Sequence, residues 1–423
     1  MTSSNLFTLT EMQQRIACIR GKMESLNLGA VIACDAANVR YTTGFKGEPR
    51  SLLILPDTLI LFTSFRTISW AREQTKLLEE EVELSTTSSP SKLIKKRLPT
   101  PPLKIAIDQN VSAANLVHWQ KKLAPHEVEP HSIIETIRQT KSPAEISIIQ
   151  QSQKINETIL NAVLPQIKPD LTERGIQGLI LAEMAKREEV EGCSFPPIVA
   201  NGPNCWEIHH LPDQSVSRYG DLLLLDHGVF YQGYASDMTR MVCLGNSSGR
   251  MQEIHQVVNL ARQTAIDAAR PGITNHDLDR VARNIIEASG LGKTFTHGLG
   301  HSIGLQTHDP GVNLSQNAPE IPLAPGMTLT IEPGIYLDKK IRYSSRGHHF
   351  YHHRWLEKPH LPIDRNHRDL NSTSTRNLLS NKRTWPSLLS LFGTPQKKDD
   401  TNFKVLRMYK RRLLRLSFNR KSI

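Results

Sequence analysis

Three carboxylates and three histidines in this sequence have the types and spacing that hydrolytic chemistry needs. In Gly220-Asp221-Leu222-Leu223-Leu224-Leu225-Asp226-His227-Gly228 an apolar strand delivers Asp226. After a turn through Gln232 and Gly233 a second strand delivers Asp237, so that two carboxylates face each other. The pair alone reads equally well as an N-cap and a solvated loop aspartate. Met327 to Gly334 alternates with period two, which puts Thr328, Thr330 and Glu332 on one face, although a strand-end glutamate before Pro333-Gly334 is by itself a turn residue. His297-Gly298-Leu299-Gly300-His301-Ser302-Ile303-Gly304 runs on into Leu305-Gln306-Thr307-His308-Asp309, where glycines let the backbone approach a site and histidines supply imidazole nitrogens. These glycines do not follow G-x-G-x-x-G and no basic P-loop comes after them, so phosphate cradling is not expected. Two Asp, a His and a Glu make an oxygen-rich, borderline-hard donor set that suits Mn²⁺, Co²⁺, Zn²⁺ or Fe²⁺ better than a thiolate zinc site does. Such a centre lowers the pKa of a water and polarises a carbonyl, while neutral histidines nearby carry protons.

The elements that must hold these residues follow from periodicity. Residues 10–138 alternate helical and strand patterns: a helix near Met12 to Leu26, strands at Ala30 to Cys34, Ser51 to Leu55, Thr58 to Thr63 and Lys104 to Asp108, and a helix near Thr67 to Leu78. An α/β domain is expected there, with Thr86 to Pro102, rich in Ser, Thr, Pro and Lys, as a surface connection. Ser142-Pro143-Ala144-Glu145 combines an N-cap, a proline at the first helical position and a capping-box glutamate, so a second domain, 142–340, opens with a helix reaching Ile167. Further helices are expected from Thr172 and Glu173 toward Lys186, over Met251 to Ala269, and over Asn275 to Ser289, the last stopped by Gly290. Strands are expected at Leu222 to Asp226 and Met327 to Ile331, giving an α+β layer structure.

Composition bounds the functional classes. The net charge of +11 is unevenly spread: Lys339 to Ile423 holds 21 Lys and Arg against 5 Asp and Glu, and residues 1–338 hold 31 against 36. The part with folding patterns is therefore mildly acidic, and the basic segment 341–423, with little capacity for a core, would bind polyanions by charge alone. No specific nucleic-acid partner is expected. No apolar run approaches the roughly 20 residues of a membrane span, and the start lacks a signal-peptide order, so the reading is a cytoplasmic protein without a membrane partner. Cys18, Cys34, Cys193, Cys205 and Cys243 are an odd, scattered set that reads as buried thiols, Cys205 being a small buried side chain, and not as a disulfide framework.

Asp226 and Asp237 with ten residues between them, the HGLGHSIGLQTHD run and TIEPGIY, in this order, resemble the pita-bread metallopeptidases: methionine aminopeptidases, Xaa-Pro aminopeptidases, prolidases and creatinases. The resemblance implies that Asp226, Asp237, His301 and Glu332 are metal ligands, Asp237 bridging, and that Glu332 also acts as acid and base. The family's loop ending in a proton-handling, substrate-binding histidine looks like Ala200 to His209, which makes His209 the candidate ahead of His210. His308 matches the second such histidine, and His297 the one lining the pocket of proline-directed members. Asp35 to Phe45 is similar to the N-terminal domain of prolidases, Xaa-Pro aminopeptidases and creatinases. The implied activity is metal-dependent hydrolysis of Xaa-Pro bonds in proline-containing peptides by a dimer or larger homo-oligomer with two divalent ions, Mn²⁺ foremost. A non-catalytic peptide- or protein-binding relative and a creatinase-like amidinohydrolase are the alternatives.

The chain leaves the family pattern after the E-P-G turn. Where the family has a bridging glutamate in a G-x-R-x-E-D strand, this sequence reads Lys339-Lys340-Ile341-Arg342-Tyr343-Ser344-Ser345-Arg346, so occupancy by a second ion comes into question. Back-translating Lys340 to His360 and shifting the frame by one nucleotide permits KFGIRVEDIIFITTDGLKNL, which contains the absent strand. We read residues 341–423 as the product of a one-base change near codons 339–341, and His348, His349, His352 and His353 as its by-product.

Overall fold

The computed structural model describes residues 7–100 and 102–337. The expected basic, little-ordered segment, its histidine cluster and the change of frame lie outside the described residues.

The first domain is a six-stranded sheet between two helical layers. Its strands are β1 (Ala30–Ala33), β2 (Ser51–Ile54), β3 (Leu59–Phe62), β4 (Val82–Ser85), β5 (Lys104–Asp108) and β6 (Glu127–His131), in the order β4-β3-β2-β1-β5-β6. The central strands β1, β2, β3 and β5 are buried on both faces and read as apolar runs whose alternate residues enter different layers, whereas the edge strands β4 and β6 bury one residue each. Val31, Leu52, Leu59 and Leu61 pack with α1 (Leu9–Ser25), α2 (Ala36–Thr43) and α6 (Ile133–Arg138), and Ile32, Leu53, Ile60 and Ile107 pack on the other side with α4 (Pro90–Arg97) and α5 (Ala113–Leu123). The helix expected from Thr67 to Leu78 is α3 (Ile68–Gln74) followed by a 3-10 turn.

Two expectations fail here. The surface connection 86–102 contains α4: Pro90 opens it at its first turn, and Ile94 and Leu98 are buried against the sheet. One apolar stripe two turns long was hidden by the Ser and Lys around it. Nor are the cysteines buried thiols, since Cys18 and Cys193 are exposed and Cys34, Cys205 and Cys243 are half-buried; all five are free.

The second domain opens with α7 (Pro143–Val163), whose Ser142 and Glu145 form the expected capping box, and continues with α8 (Glu173–Ala185), capped by Thr172. The strands are short and fall into three groups: β7 (Gly192–Cys193) with β10 (Val229–Tyr231) and β11 (Tyr234–Ala235); β8 (Ile198–Asn201) with β9 (Leu222–His227) and β12 (Met238–Cys243); and the pair β13 (Gly300–His301) and β14 (Asn313–Leu314). Helices α7 and α8 bury one face of the β8, β9, β12 group, while α9 (Gly249–Ala268) and α10 (Asn275–Ala288) pack on the 295–331 region. None of the described helices is long and apolar enough to cross a membrane.

The strand expected over Met327 to Ile331 forms only a bridge, Ser302 to Leu329. The segment is bonded to its neighbour through Ile303 N–H to Thr328 O, Thr330 N–H to His301 O and Glu332 N–H to Leu299 O. The rung that would extend the ladder is diverted, because His301 N–H donates to the Thr330 hydroxyl at 2.9 Å and not to its carbonyl.

Candidate functional site

The pleat of β9 sends Leu223 and Leu225 into the core under α7 and α8, and Leu222, Leu224 and Asp226 into a cleft of about 1240 Å³. Asp226 pairs in register with Thr239 of β12, whose hydroxyl bonds its carboxyl, while Asp226 Oδ1 is buried with no donor. His227, on the opposite face, joins Asn156 Oδ1 through Nδ1 at 2.5 Å, and burial pulls it down to about 4, which keeps it neutral and outside the cleft's chemistry.

Between the two aspartates the chain leaves one sheet for another and returns. The two-residue turn at Gln232 and Gly233 has positive φ at both positions, as a type I′ hairpin requires. At Gly228 a Cβ would lie 1.9 Å from Ser236 O, so only glycine lets the outgoing and returning strands come close enough to set Asp237 beside Asp226. Opposite them, β13 presents His301, whose Nε2 is 3.4 Å from Asp237 Oδ2 and 3.3 Å from Glu332 Oε1. The Thr330 hydroxyl donates to Glu332 Oε1 at 2.9 Å.

These groups perturb one another strongly. Asp226 is pushed well above the usual carboxylate range by burial, then by the charges of Asp237 and Glu332. Glu332 is pushed up to about 7 by burial and by Asp237. Burial would lower His301, but Asp237 and Glu332 outweigh it and hold the imidazole above its ordinary value. His301 Nδ1 faces Ser302 O at 3.1 Å, so a proton belongs on Nδ1 and Nε2 is directed at the carboxylates. An orphaned buried carboxylate oxygen, two further carboxylates and an imidazole Nε2 with its tautomer fixed are a donor set that fits a divalent cation.

The remaining expected residues line the same cleft. His209 is exposed at its rim, and its neighbour His210 is buried. His308 is exposed, its ring centroid 4.1 Å from that of His301; burial, then the His301 charge, lowers it. His297 bonds Gly298 O through Nδ1 at 2.7 Å and accepts from the Tyr336 hydroxyl at Nε2 at 3.0 Å; burial lowers it as well. Tyr336 is the cleft residue that motif reading passed over. The signal was its spacing, because Glu332, Gly334 and Tyr336 share one face of an extended segment.

A second group, Glu173, His210 and Asp213, brings ligand atoms within 4.8 Å of one another, but it is a hydrogen-bonded clamp. Glu173 Oε1 accepts from Asn201 N–H and Asn204 Nδ2, and Oε2 from Asp213 N–H and His210 Nε2, leaving it no free lone pair for a cation. The clamp shapes the loop that carries His209. Cys205 serves the same loop, its thiol donating to Ala200 O and Leu222 O and pushed up to about 12 by burial.

Comparison with known proteins agrees with this architecture. Residues 147–353 match the model of metallopeptidase family M24, and residues 15–140 that of the creatinase/prolidase N-terminal domain. An uncharacterized peptidase of Bacillus subtilis is 30% identical over 75% of this chain and 90% of its own length. The prolidase of Pyrococcus horikoshii superposes with a TM-score of 0.70 at 29% identity, covering 77% of this chain and 92% of that one. The X-Pro aminopeptidase of Thermotoga maritima does so with a TM-score of 0.67 at 30% identity, covering 75% and 91%. The chain belongs to metallopeptidase family M24, with a creatinase/prolidase-type N-terminal domain preceding the peptidase domain.

Proposed function

We propose that this chain hydrolyses the peptide bond before proline, as an Xaa-Pro dipeptidase or aminopeptidase, with Asp226, Asp237, His301 and Glu332 holding a divalent metal. The observation that carries the reading is the buried, partnerless Asp226 Oδ1 among two further carboxylates and His301 Nε2. A bound divalent ion would polarise the scissile carbonyl and make a water acidic enough to attack it near neutral pH. Glu332, whose Oε1 lies 3.3 Å from His301 Nε2 at the centre of this set, would take a proton from an attacking water and return it to the departing proline nitrogen. His308, lowered and neutral, and the exposed His209 hold substrate oxygens and stabilise charge that develops on them. His297, fixed by Tyr336 and set edge-on to Phe295, offers a rigid wall suited to a proline ring. The names of the similar proteins, prolidase and X-Pro aminopeptidase, support this substrate class.

Within the same reading we assign Mn²⁺ as the working ion ahead of Co²⁺, Zn²⁺ and Fe²⁺, a cytoplasmic location, and a dimer or larger homo-oligomer. The domains divide between residues 138 and 142. The test is turnover of Xaa-Pro dipeptides and longer Xaa-Pro peptides by the metal-free chain with and without added Mn²⁺. Metal-dependent release of proline or of the first residue is expected. Mn²⁺ binding without turnover would favour the peptide-binding relative, and turnover of creatine in its place the amidinohydrolase.

A further inference from the structure

The turn that carries His308 is held from the other domain. Leu305, at its start, is buried in the apolar cluster that joins the first domain, through Ile133 and Ile134, to Ile148, Ile149 and Tyr234 of the second. Asp309, at its end, accepts from Arg138 Nη2 at 2.6 Å and from Gln306 N–H at 3.1 Å with Oδ1, and from Lys141 Nζ at 2.9 Å with Oδ2. The same Nη2 also donates to Gln306 Oε1 at 3.0 Å. The side chains of Arg138, Lys141 and Asp309 are 2%, 1% and 1% exposed, whereas His308 between Leu305 and Asp309 is exposed to the cleft.

Arg138 is itself fixed from behind. Its Nη1 donates to Asn38 Oδ1 at 2.6 Å, and Asn38 Nδ2 donates to Asp108 Oδ1 at 2.8 Å and to Glu135 Oε1 at 3.1 Å. Asp108 ends β5 and accepts the Asp35 N–H at 2.6 Å. A buried polar chain thus runs from the sheet of the first domain, through α2 and α6, to the residue that follows His308. A planar guanidinium held at both ends has little freedom, and its fork transmits that rigidity to residues 306–309.

We propose that Arg138, with Lys141, is a positioning residue for His308: the N-terminal domain fixes the placement of a cleft histidine through Asp309. This deepens the proposed peptidase reading and rests on it for its kinetic arm. Its structural arm is independent, being read in the metal-free full-length chain.

The experiment compares Arg138→Met and Arg138→Lys with Leu53→Ala, which damages the first domain's core on the sheet face away from α6. Amide hydrogen exchange over 302–312 is measured alongside kcat and KM for an Xaa-Pro dipeptide with Mn²⁺, well below each variant's Tm. Arg138→Met should speed exchange at Asp309 and Val312 by about 10-fold or more, which the Leu53→Ala control should not do. It should lower kcat by about 10- to 100-fold with KM changed less than about 3-fold, as a misplaced catalytic group does. Arg138→Lys, which keeps the charge but cannot span Asn38 and Asp309 together, should fall between. If Arg138→Met follows the control in exchange and in kcat, its role is structural and the proposal is overturned. If Arg138→Met does not fold, Gln306→Ala removes one arm while leaving the buried charges paired, and unchanged exchange at Asp309 in that variant overturns the proposal equally. If the wild-type chain shows no turnover, the kinetic arm drops out and the exchange arm alone decides this proposal.

Discussion

Asp226 lies near the end of a strand whose Leu223 and Leu225 are fully buried, and its carboxyl leaves water with one oxygen unmatched and two like charges nearby. Such a group costs stability in the metal-free chain. Asp226→Asn, which removes the charge and keeps the shape, should therefore raise the Tm of the metal-free protein or leave it unchanged, while lowering Mn²⁺-dependent turnover by about 10³-fold or more. A Tm that falls by several degrees in the metal-free variant would contradict this account. Glu332 gives the pH dependence. The native state holds its proton up to about 7, whereas an unfolded chain releases it near the ordinary glutamate value of 4.5, so native protein binds more protons across that window. Its contribution to stability falls as pH rises through the window and is level above it. A dication relieves the same repulsion, so the Tm gained from saturating Mn²⁺ should be larger at about pH 7.5 than at about pH 5.5. Equal gains at both values would show that Glu332 does not face the ion. The types and order of these residues were legible in the sequence because strand period and motif spacing are local. The choice of His209 ahead of His210 came from the resemblance, and its physical cause was not legible, because His210 turns inward to a carboxylate, Glu173, 37 residues away in sequence.

At the level of elements, α7 was readable to the residue because a capping box is written in four consecutive positions. Ser142 Oγ accepts Glu145 N–H at 3.2 Å and Glu145 Oε2 accepts Ser142 N–H at 2.9 Å. Tertiary structure gives the glutamate further work that the motif does not announce. Its Oε1 accepts the buried Tyr234 hydroxyl at 2.8 Å, and Arg15 lies 3.6 Å from Oε2. The two halves of the box should therefore differ in weight. Ser142→Ala should cost about 1 to 2 kcal/mol, a lost cap together with the hydroxyl's bond to Glu11 Oε1 at 2.5 Å. Glu145→Ala should cost about 3 kcal/mol or more, because it also strands the buried Tyr234 hydroxyl and removes one of the two carboxylates, Glu11 and Glu145, beside the buried Arg15. Urea unfolding of both variants checks this, and equal costs would mean that the Tyr234 and Arg15 contacts contribute nothing. The misread elements fail for the converse reason. Helix α4 rests on Ile94 and Leu98 finding a sheet face, and the 327–331 segment loses its ladder to one threonine hydroxyl, neither of which is visible in a local window.

Across the whole molecule the charge is divided, with residues 1–338 mildly acidic and Lys339 to Ile423 strongly basic, and the family motifs stop at the same place. The cleft assembles three carboxylates and one imidazole from residues 226–332, a set that on the proposed reading would hold one ion, with fewer protein ligands left for a second. Replacing residues 340–360 with the shifted-frame KFGIRVEDIIFITTDGLKNL and ending the chain there adds a glutamate in the family's order, as the seventh residue of the replacement and two after its arginine. A further bridging carboxylate in such a site would strengthen metal binding and bring a second ion into play. The replaced chain should accordingly bind more Mn²⁺ per protomer by calorimetry and hydrolyse Xaa-Pro dipeptides at least about 10-fold faster at equal Mn²⁺. Turnover by the replaced chain alone would make the present sequence a peptidase that lacks its last ligand. Equal turnover and equal Mn²⁺ stoichiometry in the two chains would show that Asp226, Asp237, His301 and Glu332 suffice, and the change-of-frame reading would then have no functional consequence.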